Sequence, residues 1–126
     1  MQSKICGIKD VKSLKYIINH KHPPNFIGFI CNYPKSKRFV SLKFLKNLFY
    51  IKRKNVHFVS VLVNPKEKIL EKIKNFNFQY YQLYDVTPKE TLRIKKKYKK
   101  KIITAITIQK KIDIEQYKKY IKISDI

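Results

Sequence analysis

The sequence predicts an α/β chain in which a parallel sheet is built from five successive βα units. Short apolar runs rich in β-branched residues recur along the chain, and each is followed by a turn or capping signal. A Lys-rich segment then follows, with apolar residues returning at helical spacing. Connections of a few residues between these segments imply strands that all run the same way, joined by crossover helices.

Lys4, Ile5 and Cys6 form the first run, and Asp10 is the expected N-cap of a helix that turns Val11, Leu14, Ile17 and Ile18 inward. After a loop with Pro23 and Pro24 comes the run 26–31, FIGFIC, apolar on both faces as a buried parallel strand should be. A loop over 32–40 leads to Ser41, the expected cap of a helix with Leu42, Leu45, Leu48 and Phe49 on one face. The third run, 58–63, ends in Asn64-Pro65, read as an N-cap and a first-turn proline ahead of Ile69, Leu70 and Ile73. The fourth, 80–83, leads to Thr87-Pro88-Lys89-Glu90, a capping box with proline at the first helical position, and then to Leu92 and Ile94. The fifth run spans 102–108, with Asp113 and Gln116 expected to box a fifth helix through Ile114, Tyr117 and Ile121.

At 126 residues, one domain is the default, and a hydrophobic content of 44% argues that the chain folds despite a formal net charge of +22. That charge raises an alternative function, a small basic α/β module binding RNA or another polyanion through Arg93, Lys95, Lys96, Lys97, Lys99, Lys100 and Lys101. Nucleic acid is disfavoured as a partner because only Arg38, Arg53 and Arg93 are arginine among the 30 basic residues, whereas bidentate contacts to phosphate or guanine favour arginine. The lysines read as a solvated surface. Cys6 and Cys31 fit no CxxC or zinc spacing, and His20, His22 and His57 give no ligand set, so no metal is expected. No apolar stretch is long enough for a membrane span, and the N-terminus lacks a signal-peptide core; no membrane partner and a cytoplasmic location are expected.

Two architectures accommodate five βα units. A doubly wound sheet is complete at this length, whereas a (β/α)8 barrel needs eight units and about 250 residues. Length favours the first and the residues at the strand ends favour the second. Lys4-Ile5-Cys6-Gly7-Ile8 opens the chain, Gly28-Phe29-Ile30 follows with Pro34-Lys35-Ser36-Lys37-Arg38 behind it, then Val59-Ser60-Val61-Leu62-Val63-Asn64 and Tyr81-Gln82-Leu83. In order and spacing these resemble the phosphoribosylanthranilate isomerase family of tryptophan biosynthesis along the whole chain.

The resemblance implies a (β/α)8 TIM barrel of which residues 1–126 supply about five units, the N-terminal part of a single domain with no second domain. It implies an Amadori rearrangement of N-(5-phosphoribosyl)anthranilate to 1-(2-carboxyphenylamino)-1-deoxyribulose 5-phosphate, without cofactor or metal. Cys6 matches the family's general base and Arg38 the arginine that holds the anthranilate carboxylate. The family continues Gln-Leu with His-Gly, where this chain has Tyr84-Asp85. Its general acid is an aspartate at the end of the sixth strand; Asp125 matches an aspartate at the start of that strand and is assigned no catalysis. The chain by itself is therefore expected to be inactive and to associate with itself or with a complementing C-terminal half.

Overall fold

In the computed structural model the backbone is described for all 126 residues; only the side chain of Phe49, and with it the place expected for it on a helix face, lies outside the described residues. Five strands form, β1 Lys4–Cys6, β2 Phe26–Ile30, β3 His57–Val63, β4 Tyr80–Tyr84 and β5 Lys101–Ala105. Four α-helices alternate with them, α1 Val11–Asn19, α2 Leu42–Asn47, α3 Glu67–Ile73 and α4 Pro88–Tyr98. All strand pairs are parallel and the spatial order is the sequence order, β1-β2-β3-β4-β5.

Alternation along each strand separates two apolar faces. Ile27, Phe29, Phe58, Leu62, Tyr81, Leu83 and Ile102 join Leu14, Ile18, Leu45, Leu70, Ile73 and Ile94, contributed by all four helices, in a single core. The opposite face gathers Phe26, Ile30, Val59, Val61 and Tyr80, with Cys6, Tyr84 and Ile103 against them and no helical residue. A doubly wound sheet distributes helices over both faces and reverses its strand order. Here neither occurs, so the sheet is an arc of a (β/α)8 barrel and the helix-free face is its interior. Val59 is fully buried on that face without a helix above it, which requires the sheet to wrap around its own side chains.

The caps show why the helices begin where they do. Asp10 accepts from the Ser13 N–H at 2.7 Å, Ser41 from Phe44 at 3.2 Å and Thr87 from Glu90 at 3.3 Å, each satisfying an orphan donor of the first turn. Expectations for Asn64 and for the fifth unit are corrected. Asn64 does not cap α3: its N–H donates to the Tyr84 carbonyl at 2.9 Å, holding it in the sheet, and the helix starts after Lys66. Leu92 and Ile94 do lie in α4, which buries Thr91, Ile94 and Tyr98 and leaves Leu92 exposed. The fifth strand ends at Ala105, and the expected fifth α-helix is a 3-10 segment, Lys111–Lys119, with no buried residue. Asp113 does box the start of that segment, from its third position: it accepts from the N–H groups of Gln109 and of the cap residue Lys110, and Gln116 Nε2 donates to its other oxygen at 3.4 Å.

The last residues add a further edge. Asp125 and Ile126 donate backbone N–H groups to the Ile102 carbonyl, Thr104 donates to that of Ile126, and the Asp125 carboxylate accepts from Ile102 N–H at 2.8 Å. Residues 124–126 thus run beside β5 as a sixth strand would.

A polar network ties α3 to α4. Arg93 donates to Glu67 and Glu90, Lys97 pairs with Glu67 and Glu71, and the Tyr98 hydroxyl shares its one proton between Glu67 at 2.6 Å and Glu71 at 2.8 Å. Lys97, Tyr98 and Arg93 hold Glu67 at about 2, and Lys74, Tyr98 and Lys97 do the same for Glu71. A carboxylate whose value is depressed on folding contributes stability that is complete above its unfolded value. That contribution is lost as pH falls from about 4.5 toward 2. Thermal melts between pH 5 and pH 2 are expected to fall steadily, and Tyr98→Phe to reduce the drop; a melting temperature flat across that window would contradict this.

Candidate active site

The carboxyl end of β1 carries Cys6 on the interior face, partly buried and packed against the Phe26–Tyr80 cluster. Its partner in register is Gly28. A β-carbon at Gly28 would stand 2.9 Å from the Cys6 sulfur and 3.0 Å from the Lys4 ammonium nitrogen, so the missing side chain is the space in which both groups sit. Thiol and ammonium are therefore within about 6 Å of each other.

The loop after β2 folds back over this strand end. Val40 donates to the Ile30 carbonyl at 2.9 Å, and turns through Tyr33, Ser36 and Phe39 tighten the segment between. Ser36 Oγ accepts from the Arg38 N–H at 3.2 Å, and the guanidinium donates Nη1–H to the Cys6 carbonyl, also at 3.2 Å. Gly7 lies beneath the arginine stem at φ +88, where a β-carbon would come within 2.5 Å of Arg38 Cδ. Its N–H reaches the Gly28 carbonyl at 2.8 Å. Three segments far apart in sequence, around Cys6-Gly7, Gly28 and Arg38, thus meet at one point. Arg38 is exposed, and among the described residues its guanidinium has no acidic partner.

A family model described as N-(5'-phosphoribosyl)anthranilate (PRA) isomerase matches residues 3–125. The chain belongs to the phosphoribosylanthranilate isomerase family. It is 36% identical over 120 residues to the isomerase of Staphylococcus epidermidis, covering 91% of this chain and 56% of that protein. It is 34% identical over 119 residues to that of Campylobacter jejuni, with 57% of the relative covered. The fold superposes on the phosphoribosyl anthranilate isomerase of Thermotoga maritima with a TM-score of 0.81 at 26% identity, over 94% of this chain and 57% of that one. A phosphoribosyl anthranilate isomerase in complex with reduced 1-(o-carboxyphenylamino)-1-deoxyribulose 5-phosphate gives 0.82 at 26% identity, over 94% of this chain and 60% of that one. The chain spans a little over half the length of the relatives it matches.

Both residues singled out by the resemblance to this isomerase family, Cys6 and Arg38, come together at one strand end. The departure at 84–85 is also explained locally. Asp85 has φ +54, a left-handed conformation that glycine adopts without strain and that aspartate tolerates better than most residues. Tyr84 turns to the interior, where Gln82 Nε2 donates to its hydroxyl oxygen at 3.0 Å. Lys4, Gln82 and Tyr84 stand in or beside the motif segments, but the motif reading gives them no role. Strand alternation carries the signal for all three, since Lys4 shares a face with Cys6, and Gln82 with Tyr84.

Cys31 is core, 3% exposed, with its S–H donated to the Phe29 carbonyl, and burial pushes the thiol up to about 12. Iodoacetamide at pH 8 is expected to modify Cys6 and leave Cys31 intact in the native chain, and to modify both after unfolding; mass spectrometry of native Cys31 adducts would contradict the placement. The basic run 93–101 is largely occupied by structure. Arg93 and Lys97 serve the α3–α4 network, Lys95 pairs with Asp125 at 2.9 Å, and Lys100 donates to the Phe78 carbonyl. Among the described residues no group of three His, Cys, Asp or Glu side chains could hold a metal, and no helix is long and apolar enough to cross a membrane.

Proposed function

We propose that this chain supplies the base-bearing and carboxylate-binding part of a phosphoribosylanthranilate isomerase, converting N-(5-phosphoribosyl)anthranilate to 1-(2-carboxyphenylamino)-1-deoxyribulose 5-phosphate. The observation that carries the reading is the convergence of the Cys6 thiol, the Arg38 guanidinium and the two glycines that admit them at one interior strand end.

In the rearrangement the ring oxygen is protonated as the sugar opens to a Schiff base, and a base then removes the proton from C2, leaving an enolamine that tautomerises to the ketone. Electrons are only redistributed within the substrate. Cys6 acts as the base, with the Lys4 side chain beside it, and Arg38 holds the anthranilate carboxylate through its exposed guanidinium edge, a planar pairing that lysine would not reproduce. The oxygen-protonating acid and the phosphate loops belong to the strands that follow β5 in a full barrel.

The isolated chain accordingly binds without turning over. Purified chain incubated with phosphoribosylanthranilate is expected to form no product, and turnover that is lost in Cys6→Ser would overturn this division of labour. The free edge of β1 and the interior face are surfaces that a complementing C-terminal half would cover. Without that half the chain is expected to self-associate as concentration rises, which sedimentation velocity would read; a concentration-independent monomer would contradict it.

A further inference from the structure

We infer that the Tyr84 hydroxyl is a substrate-binding donor, set in place by Gln82 and directed to a hydroxyl oxygen of the sugar chain. This rests on the isomerase reading and extends it to a residue that the family resemblance does not supply, since the family has histidine here. Tyr84 lies at the carboxyl end of β4 with its ring against the interior cluster that also holds Cys6. Gln82, two residues earlier on the same face, donates Nε2–H to the phenol oxygen at 3.0 Å.

That direction matters. A phenol has one proton to give, and an oxygen already accepting from an amide keeps that proton for a partner elsewhere. Among the described residues the Tyr84 hydroxyl has no second hydrogen-bond partner. Its neighbours across the two ladders, Val63 and Ala105, carry no side-chain acceptor. A half-buried O–H held by one amide and lacking an acceptor is therefore available to ligand, at the end of the barrel where substrate binds in such folds. With Arg38 holding the carboxylate at the end of β2, the oxygen-bearing part of the substrate reachable along the interior face is the sugar chain. Gln82 acts through Tyr84 and is a positioning residue.

The test uses the 126-residue chain and two probes, reduced 1-(o-carboxyphenylamino)-1-deoxyribulose 5-phosphate and anthranilate alone, with binding measured by calorimetry or chemical-shift titration. Tyr84→Phe is expected to weaken the sugar-bearing probe about three- to tenfold, the loss of one neutral hydrogen bond, and to leave anthranilate binding unchanged. Tyr84→His, which retains a donor, recovers part of the loss, and Gln82→Leu gives a smaller weakening with the same selectivity. Arg38→Ala weakens both probes. Equal loss of both probes in Tyr84→Phe, or no loss of either, overturns the inference while an Arg38 effect leaves the isomerase reading standing. If the chain binds neither probe, or Arg38→Ala changes nothing, both fall together.

Discussion

Phe29→Ala is expected to lower the stability of the chain by about 3–5 kcal/mol, the cost of an emptied aromatic site in a packed core. Phe29 is fully buried on the outer face of β2, with the Phe58 ring edge-on at 5.2 Å and those of Phe78 and Phe44 at 6.1 and 6.3 Å. β3, α2 and the turn before β4 all lean on it, so the cavity cannot be closed by one neighbour moving. Ordinary domains hold about 5–15 kcal/mol in total, and an open barrel arc has fewer neighbours than a closed one. A large part of the variant is therefore expected to be unfolded at room temperature by urea titration followed with circular dichroism. Leu92→Ala, at an exposed position of α4, is the control and should stay within about 0.5 kcal/mol of the parent. A Phe29→Ala loss below about 1 kcal/mol would mean the outer core is not packed as described.

Gly7→Ala is expected to remove carboxylate binding while the chain still folds. At φ +88 an alanine is strained by about 1–3 kcal/mol, and its methyl would sit 2.5 Å from Arg38 Cδ. The side chain that must yield is the arginine, which loses its contact with the Cys6 carbonyl and swings away from the strand end. Anthranilate affinity should then fall as far as in Arg38→Ala, by about tenfold or more for a hydrogen-bonded charged pair. Gly28→Ala isolates the other half of the site: no positive φ is involved, and the atoms its methyl meets are the Cys6 sulfur and the end of Lys4. That substitution should shift the thiol, and with it the iodoacetamide rate at Cys6, while leaving anthranilate binding intact. Gly7→Ala with unchanged anthranilate affinity would contradict the placement of Arg38.

Local signals in the chain proved readable where a side chain acts on its own backbone. Asp10, Ser41 and Thr87 cap the helices expected of them because an N-cap needs only residues three apart. Asn64 carries the same signal, but another bond takes precedence. Asn64 is held by β4, whereas Asp113 does box the start of its segment, which forms a 3-10 turn whose Ile112, Ile114 and Tyr117 stay exposed. Strand order was beyond the pattern itself, because β2 and β3 are apolar on both faces and an apolar run does not say which face meets a helix. At the site, Cys6, Gly28 and Arg38 were legible through their motif company. Lys4, Gln82 and Tyr84 sat in the same company without a role, because a polar residue in a strand shows its role only once the facing strands are known. Tyr84 also stands where the family pattern has another residue.

The most direct measurement joins the chain to what the proposed function requires. Mixed with a C-terminal segment of the Staphylococcus epidermidis relative covering the part this chain does not match, the purified chain is expected to gain turnover of phosphoribosylanthranilate. Cys6→Ser should lower that turnover by about a hundredfold or more, as loss of a general base does. No turnover from a folded complex of the two, or turnover indifferent to Cys6→Ser, would contradict the account.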